Sequence, residues 1–272
     1  MRIVRRLFRH ESTFVALALT LLGCVPSAAI EESRPLTKLV RAGVEQGKGT
    51  FSHDDFDAIL RQYVRANGRV DYAGLAKDHG KLKAYLDRLA TAKIAELRRE
   101  EIFALLINAY NAYTLDLIVR NYPLKSIKDL DKPWDTPFCV VGGEKLTLND
   151  IEHKFLRPKE LFDDPRMHFA INCASVGCPP LRAGAYTGKE LGKQLDQAVR
   201  AALDQERYLR VRDGRVELTK ILSWFRDDFV KKYGSVSKFL IPRVGGEAKS
   251  ILEARGDDAL SYQDYDWGLN SG

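Results

Sequence analysis

The chain is short of several things, and each shortage excludes a class of function. It has four cysteines, Cys24, Cys139, Cys173 and Cys178, and no two of them form a C-x-x-C pair. The usual zinc-finger spacing is therefore absent. No basic stripe runs along the chain. The formal charge of +6 falls to +3 once four arginines and one glutamate of residues 1–29 are set aside. Nucleic acid is accordingly not an expected partner. No internal repeat is visible, and nothing in the motifs calls for a cofactor or a metal. The apolar run near the start, Thr13 to Leu22, is about half the length a bilayer-spanning helix needs.

What stands around that run is informative. Arg2, Arg5, Arg6 and Arg9 precede it, and small residues follow it in "LLGCVPSAA". The pattern is that of a secretory signal over residues 1–29. Two cleavage readings compete, one after the small residues Ser27 and Ala29 and one at Cys24 as in a lipoprotein signal. The expected location is export, to the periplasm or to the cell envelope through a lipid anchor on Cys24. Membrane contact is expected through that anchor alone. In an oxidising compartment, thiols tend to pair or to work. Three remain after Ala29, so at least one stays free.

Residues 30–50 are mixed and glycine-rich near "EQGKGT" and read as a linker; 51–270 read as one domain. Helical spacing of Phe56, Ile59, Leu60, Tyr63 and Val64 predicts a helix over 54–64. Val70 and Tyr72, after the Asn67-Gly68 turn, suggest a short strand. Leu82 to Leu89 is amphipathic. Glu96 to Arg120 predicts one long helix, apolar on nearly all sides and therefore central and buried. "PFCVVGGEKLTL" predicts a hairpin turning at Gly142-Gly143, and "YLRVRDGRVEL" another at Asp213-Gly214. Between them, Thr147 and Asp150 form a capping box that opens a helix through "IEHKFLR". Met167–Asn172 reads as a strand and 188–203 as a helix. "ILSWFRDDFVKKYG" reads as a helix, "FLIPRV" as a short helix closed by Gly245-Gly246, and "YQDYDWGLN" as a last strand. The fold class is α+β: a helix-rich N-terminal half with a long buried central helix, packed on a small, mainly antiparallel sheet.

The chemistry-bearing residues gather around "HFAINCASVGCPP". Cys173, at the end of the expected strand, is a candidate nucleophile, needing a neighbour that lowers its pKa. Its alternatives are a small-loop disulfide with Cys178, an inert buried thiol, or redox or metal chemistry with Cys178. His168 is the nearby candidate base, although strand alternation turns it and Cys173 to opposite faces. His153 is the second candidate base, adjacent to Glu152 on its helix and off the apolar stripe. Asn108 and Asn111 share one face of the long apolar helix. Buried amides must be hydrogen-bonded, so the pair either braces a loop backbone, with the Asn172–Cys178 segment the expected one, or orients a catalytic group. Asn172 joins them as a candidate orienting or oxyanion-binding residue. Trp134, Trp224 and Trp267 read as core or rim residues, and the charges of "RDDF" as a solvated helix face.

The stretches "NAYNAYTL", "LTLNDIEHKFLR", "DPRMHFAINCASVGCPPL" and "YDWGLN" together resemble domain-of-unknown-function family 547, with "VDYAGL" and "SWFRDDF" fitting as well. The resemblance runs from about residue 51 to 270. It implies one exported domain and supplies no mechanism. The function expected from the residues is that of an exported cysteine-dependent hydrolase or acyltransferase. Its substrate would be a small molecule, a peptide or a cell-envelope component. The alternative is a non-catalytic envelope binding module clipped by a Cys173–Cys178 disulfide.

Overall fold

Leu36, Val40 and Gly43 stand at helical spacing and are buried on one face of the first helix, α1 (Pro35–Gln46). The computed structural model describes residues 34–272. The expected signal over 1–29, with Cys24, lies outside the described residues. The linker expected over 30–50 is corrected by α1. Proline at the first turn favours the helix start, and Gly43 lets the helix press onto the backbone at 94–97. A Cβ there would come within 2.6 Å of the Ile94 carbonyl oxygen.

Three helices follow: α2 (Asp54–Tyr63), α3 (Tyr72–Lys77) and α4 (His79–Ala90). The strand expected at Val70–Tyr72 is reduced to single bridges from Val70 to Val64 and Ser271. The Asp71 carboxylate accepts from the Gly74 N–H at 2.7 Å and starts α3 instead. The long helix α5 (Arg99–Asn121) is buried from Glu101 to Val119, as its all-round apolar composition requires. A first hydrophobic core forms around it, drawing on α1 to α4 and on residues up to Leu195.

The hairpin β1 (Cys139–Val141) and β2 (Glu144–Leu146) turns at Gly142-Gly143, both with positive φ. The capping box then forms in both directions. The Asp150 N–H donates to Thr147 Oγ1 at 2.9 Å, and the Thr147 N–H to Asp150 Oδ2 at 3.0 Å. It opens a wide-turned π-helix, Asp150–Leu156.

The strand expected over 167–172 does not form. Asp164 caps the next turn by accepting from the Arg166 N–H, and Pro165 fixes its first residue, so 165–169 coil into a 3-10 helix. Local turn chemistry here outweighs the β-favouring composition. Without a strand, the alternation that set His168 and Cys173 on opposite faces does not apply.

Helix α6 (Leu191–Leu203) leads into the second region. Strands β3 (Leu209–Arg212) and β4 (Arg215–Leu218) pair antiparallel around Asp213-Gly214, and β5 (Leu260–Tyr262) adds parallel to β4. The strands thus divide between two small sheets, and the fold is α+β. The helix expected from Ile221 to Gly234 breaks at Phe225 into α7 (Ile221–Trp224) and α8 (Arg226–Tyr233), the latter ending at left-handed Gly234. After α9 (Val236–Leu240), Gly245 caps a further helix, α10 (Gly246–Arg255), where the sequence suggested only a stop. Residues 263–272 run mostly without strand pairing rather than as a last strand. Phe169 and the elements from α6 to β5 form a second hydrophobic core.

Candidate active site

Between the two cores lies a pocket of about 210 Å³. The first region contributes Tyr110, Trp134, Glu152, His168, Cys173 and Cys178 to it. The second contributes Ile221, Trp224, Phe225, Tyr265 and Trp267.

The thiol loop is held from three sides. From α5, Asn111 Nδ2 donates to the Ala170 carbonyl at 2.9 Å, and its Oδ1 accepts from the Asn172 N–H at 2.8 Å. Asn172 Nδ2 donates to the Pro179 carbonyl, and its Oδ1 accepts from the Ala174 N–H. From the C-terminal segment, the Val176 and Gly177 N–H groups donate to the carbonyls of Gly268 and Asp266 at 2.8 Å. Gly177 is needed for that approach, since a Cβ would stand 2.9 Å from the Asp266 nitrogen. This docking brings Tyr265 to the Cys173 sulfur and Trp267 to the pocket wall. Within the loop, Ala174 is held at φ +63, a left-handed conformation that costs an alanine energy and persists because the surroundings determine it.

Cys173 is partly exposed and Cys178 is buried, and both are free thiols. Their sulfurs are 2.9 Å apart, and the Cys173 N–H donates to Cys178 Sγ at 3.0 Å. The Tyr265 hydroxyl lies 3.1 Å from Cys173 Sγ, and Ser175 Oγ at 3.6 Å. Hydrogen bonding from Cys178, and then from Tyr265 and Ser175, holds the Cys173 thiol below its ordinary range against the cost of burial. Burial pushes Cys178 the other way. The two thiols are thus unequal, and the readier thiolate is the more exposed of the two.

The histidines do not bond to Cys173. His168 is buried, stacked on Phe225 with ring centroids 3.9 Å apart, and its Nε2–H donates to Asp228 Oδ2 at 2.9 Å. Burial drives its pKa down to about 4, with Asp228 pulling against it, so it is neutral at pH 7. Its Nδ1 is buried without a hydrogen-bond partner, 3.9 Å from Glu152 Oε1. His153 is exposed. Its Nδ1 accepts from the Arg157 guanidinium at 2.9 Å, and burial by its neighbours lowers its pKa. Arg157 also forks onto both oxygens of Asp228, at 2.7 and 3.0 Å. Asp228, expected on a solvated face, is therefore a half-buried partner of His168 and Arg157.

Glu152 is a candidate site residue that the sequence did not single out. Adjacent helix positions diverge, and the one that turns inward is Glu152 rather than His153. It is 7 % exposed, and burial lifts its carboxyl to about 7, with Arg157 opposing. The available signal was its register: Glu152 follows Ile151 and precedes Phe155 on the apolar side of the "DIEHKFLR" turns.

The asparagines act as braces. Asn108 clamps the backbone of Tyr186, donating to its carbonyl at 2.7 Å and accepting from its N–H at 3.0 Å. Asn111 and Asn172 hold the thiol loop as described, and Asn108, Asn111 and Asn172 are not among the residues lining the pocket. Trp134, Trp224, Tyr265 and Trp267 form a ring cluster on its far wall, with centroids 4.6–5.9 Å apart, and Trp224 is 47 % exposed.

No curated protein and no solved structure matches the chain. Residues 94–202, which carry both thiols of the pocket, Glu152, His153 and His168, match the model of the family described as "Protein of unknown function, DUF547".

Proposed function

We propose that the pocket is the active site of a cysteine-dependent hydrolase or acyltransferase in which Cys173 is the nucleophile. The observation that carries the reading is the position of Cys173. It is the thiol of lowered pKa, it meets the pocket, and it shares that pocket with a carboxyl titrating near pH 7. The Cys173 thiolate attacks an acyl carbonyl carbon. The oxygen that gains the electron pair comes within reach of the Tyr265 hydroxyl, which already lies 3.1 Å from the sulfur. Collapse expels the leaving group, and protonated Glu152 supplies its proton. The resulting carboxylate then takes a proton from the water or alcohol that resolves the thioester. Glu152 thereby fills the role that the sequence offered to His153 and His168. His168, between Glu152 and Asp228, is a positioning residue.

The aromatic wall favours an acyl group or leaving group with an apolar or ring-shaped face. The arginines before Thr13–Leu22 support work outside the cytoplasm, with Cys24 as a lipid anchor. Cys24→Ala releasing the protein from the membrane pellet into the soluble fraction checks the anchor. The activity is tested by mixing the reduced protein with an aryl thioester and following thiol release and intact mass. A transient acyl adduct on Cys173, absent in Cys173→Ser, is expected. An unmodified protein with no turnover overturns the reading.

One observation favours a second reading. Sulfurs 2.9 Å apart can be joined with little movement, and a clipped loop would suit a non-catalytic envelope binding module. In that case Cys173→Ser and Cys178→Ser would lose stability equally, and neither would affect any turnover.

A further inference from the structure

The acyl chemistry proposed for Cys173 uses Cys178 only as a hydrogen-bonding neighbour of the reacting sulfur, and gives its own sulfur no bond to make. We propose that Cys173 and Cys178 are a dithiol couple that exchanges electrons with a small organic disulfide bound in the same pocket. The proposal rests on the reading of Cys173 as a nucleophile and adds a second class of substrate to it.

Three features of the geometry support it. The sulfurs are already in contact at 2.9 Å, so closing a ring over the four residues between them needs no rearrangement of the loop. Both line the pocket, but they differ in access: Cys173 is partly exposed while Cys178 is 6 % exposed. An incoming disulfide therefore meets the first more readily, and the second stands placed to attack what the first has captured. Finally, Cys139 on β1 is fully buried in the first core and lies outside the pocket, so among the described residues the exchange involves the pair alone. The opposed shifts of the two thiols agree with an attacking and a resolving role.

The step balances as follows. The Cys173 thiolate attacks one sulfur of R–S–S–R′, forming a Cys173–S–S–R bond and breaking the S–S bond. R′–S⁻ leaves and takes the proton of the Glu152 carboxyl. The Cys178 thiol then attacks Cys173 Sγ, forming the Cys173–Cys178 disulfide. R–S⁻ departs and receives the Cys178 proton. The thiolate–thiol pair has lost two electrons and one proton, Glu152 has supplied the second proton and is left as a carboxylate that regains one from water, and the substrate has become two thiols. The reverse sequence oxidises a dithiol substrate, and an external dithiol carrier restores the reduced pair.

The experiment uses the full chain with Cys24→Ala in every variant, so that this thiol adds no signal, reduced and freed of reductant, with oxidised glutathione as the probe. Wild type, Cys173→Ser, Cys178→Ser and Cys178→Ala are each mixed with it, and released thiol and intact mass are followed. Circular dichroism confirms that each variant is folded. Wild type is expected to release about two glutathione thiols per chain and end as an internal disulfide. Both Cys178 variants should stop after about one, with a stable glutathione adduct on Cys173. Cys173→Ser should release none. A stable adduct on wild type, as on the Cys178 variants, would overturn the couple. If Cys173 takes an acyl group from the aryl thioester but ignores oxidised glutathione, the couple fails while the acyl reading stands. If Cys173 reacts with neither, both fail.

Discussion

The wall of the pocket that carries Cys173 is fixed by side-chain hydrogen bonds to buried backbone, whereas in the facing wall of Trp224, Tyr265 and Trp267 the side chains meet chiefly through ring contacts, with the backbone of 266–268 alone tied to the thiol loop. On the first wall, Asn111 and Asn172 each bond to two backbone groups of the thiol loop, and the Glu152 carboxyl and His168 are buried. On the second, rings lean on one another and Trp224 stands 47 % exposed. The hydrogen-bonded side holds the groups proposed to react, which need positioning within about an ångström. In the proposed reading the ring side faces the ligand, where shape can vary without disturbing the chemistry. The match to the family model ends at residue 202. Every group proposed to react except Tyr265 lies within it, and the ring wall beyond Trp134 lies after it.

The comparison breaks most sharply at the thiol. Cys173→Ser should lower thioester turnover by at least about 10³-fold with little change in stability. Steady-state kinetics and urea denaturation measure the two. Equal loss of stability in Cys178→Ser, with no turnover to lose, would mean that the hydrogen-bonded wall is merely a clip. Next comes the brace. Asn111→Ala leaves a buried carbonyl at Ala170 and a buried N–H at Asn172 unpartnered, and should cost about 4 kcal/mol. Asn108→Ala should cost a similar amount through Tyr186 while leaving the thiol's reactivity unchanged, because it does not touch that loop.

Much of this hydrogen-bonded side was legible in the sequence. An asparagine pair three residues apart in an all-apolar helix had to meet backbone; of the two expected to hold the Asn172 segment, Asn111 does, while Asn108 clamps Tyr186 instead. The long buried helix, both hairpins and the Thr147–Asp150 box followed from periodicity and turn residues. The ring side was not legible. Tyr265 reaches Cys173, and Trp267 the pocket wall, only because residues 266–268 dock on the thiol loop across about 90 positions of chain, and no local pattern reports such a pairing. Asp228 was hidden for the same reason. Its partners His168 and Arg157 come from another element, so its helix looked like an ordinary charged face. The helix over 246–255 was missed because Gly245-Gly246 reads as a stop, although glycine can also cap a start.

Glu152 and His168, 3.9 Å apart, should pull stability in opposite directions with pH. Below about 4.5 the Glu152 carboxyl is protonated in both the folded and the unfolded chain. From there to about 7 only the folded chain keeps the proton, so stability falls as pH rises through that window, by about 3 kcal/mol in all. His168 is the reverse. Between about 6.5 and about 4 only the unfolded chain binds its proton, so stability falls as pH drops through that window. Glu152→Gln should remove the first slope and leave the chain more stable at pH 8, by up to about 3 kcal/mol. It should also abolish the decline of kcat/KM above pH 7 that loss of the acid produces. Chemical denaturation and kinetics across pH 4–9 measure both. A variant with unchanged slopes would show that the carboxyl is not the group that titrates near 7.

The smallest effect is expected on the ring wall. Trp224 is half in water, so Trp224→Ala should change folding stability by no more than about 0.5 kcal/mol. If its ring supports the substrate, losing that contact should raise KM by up to about tenfold, the equivalent of about 1.4 kcal/mol, and leave kcat nearly unchanged. A fall in kcat instead would mean that Trp224 holds Tyr265 against Cys173, through the ring contact at 4.8 Å. Tyr265→Phe separates these cases. It keeps the ring stack and removes only the hydroxyl beside the sulfur, so it should lower kcat, raise the pH at which Cys173 becomes reactive, and spare KM. If both variants change kcat alone, the ring wall belongs with the hydrogen-bonded side after all, and the ligand must be recognised elsewhere in the pocket.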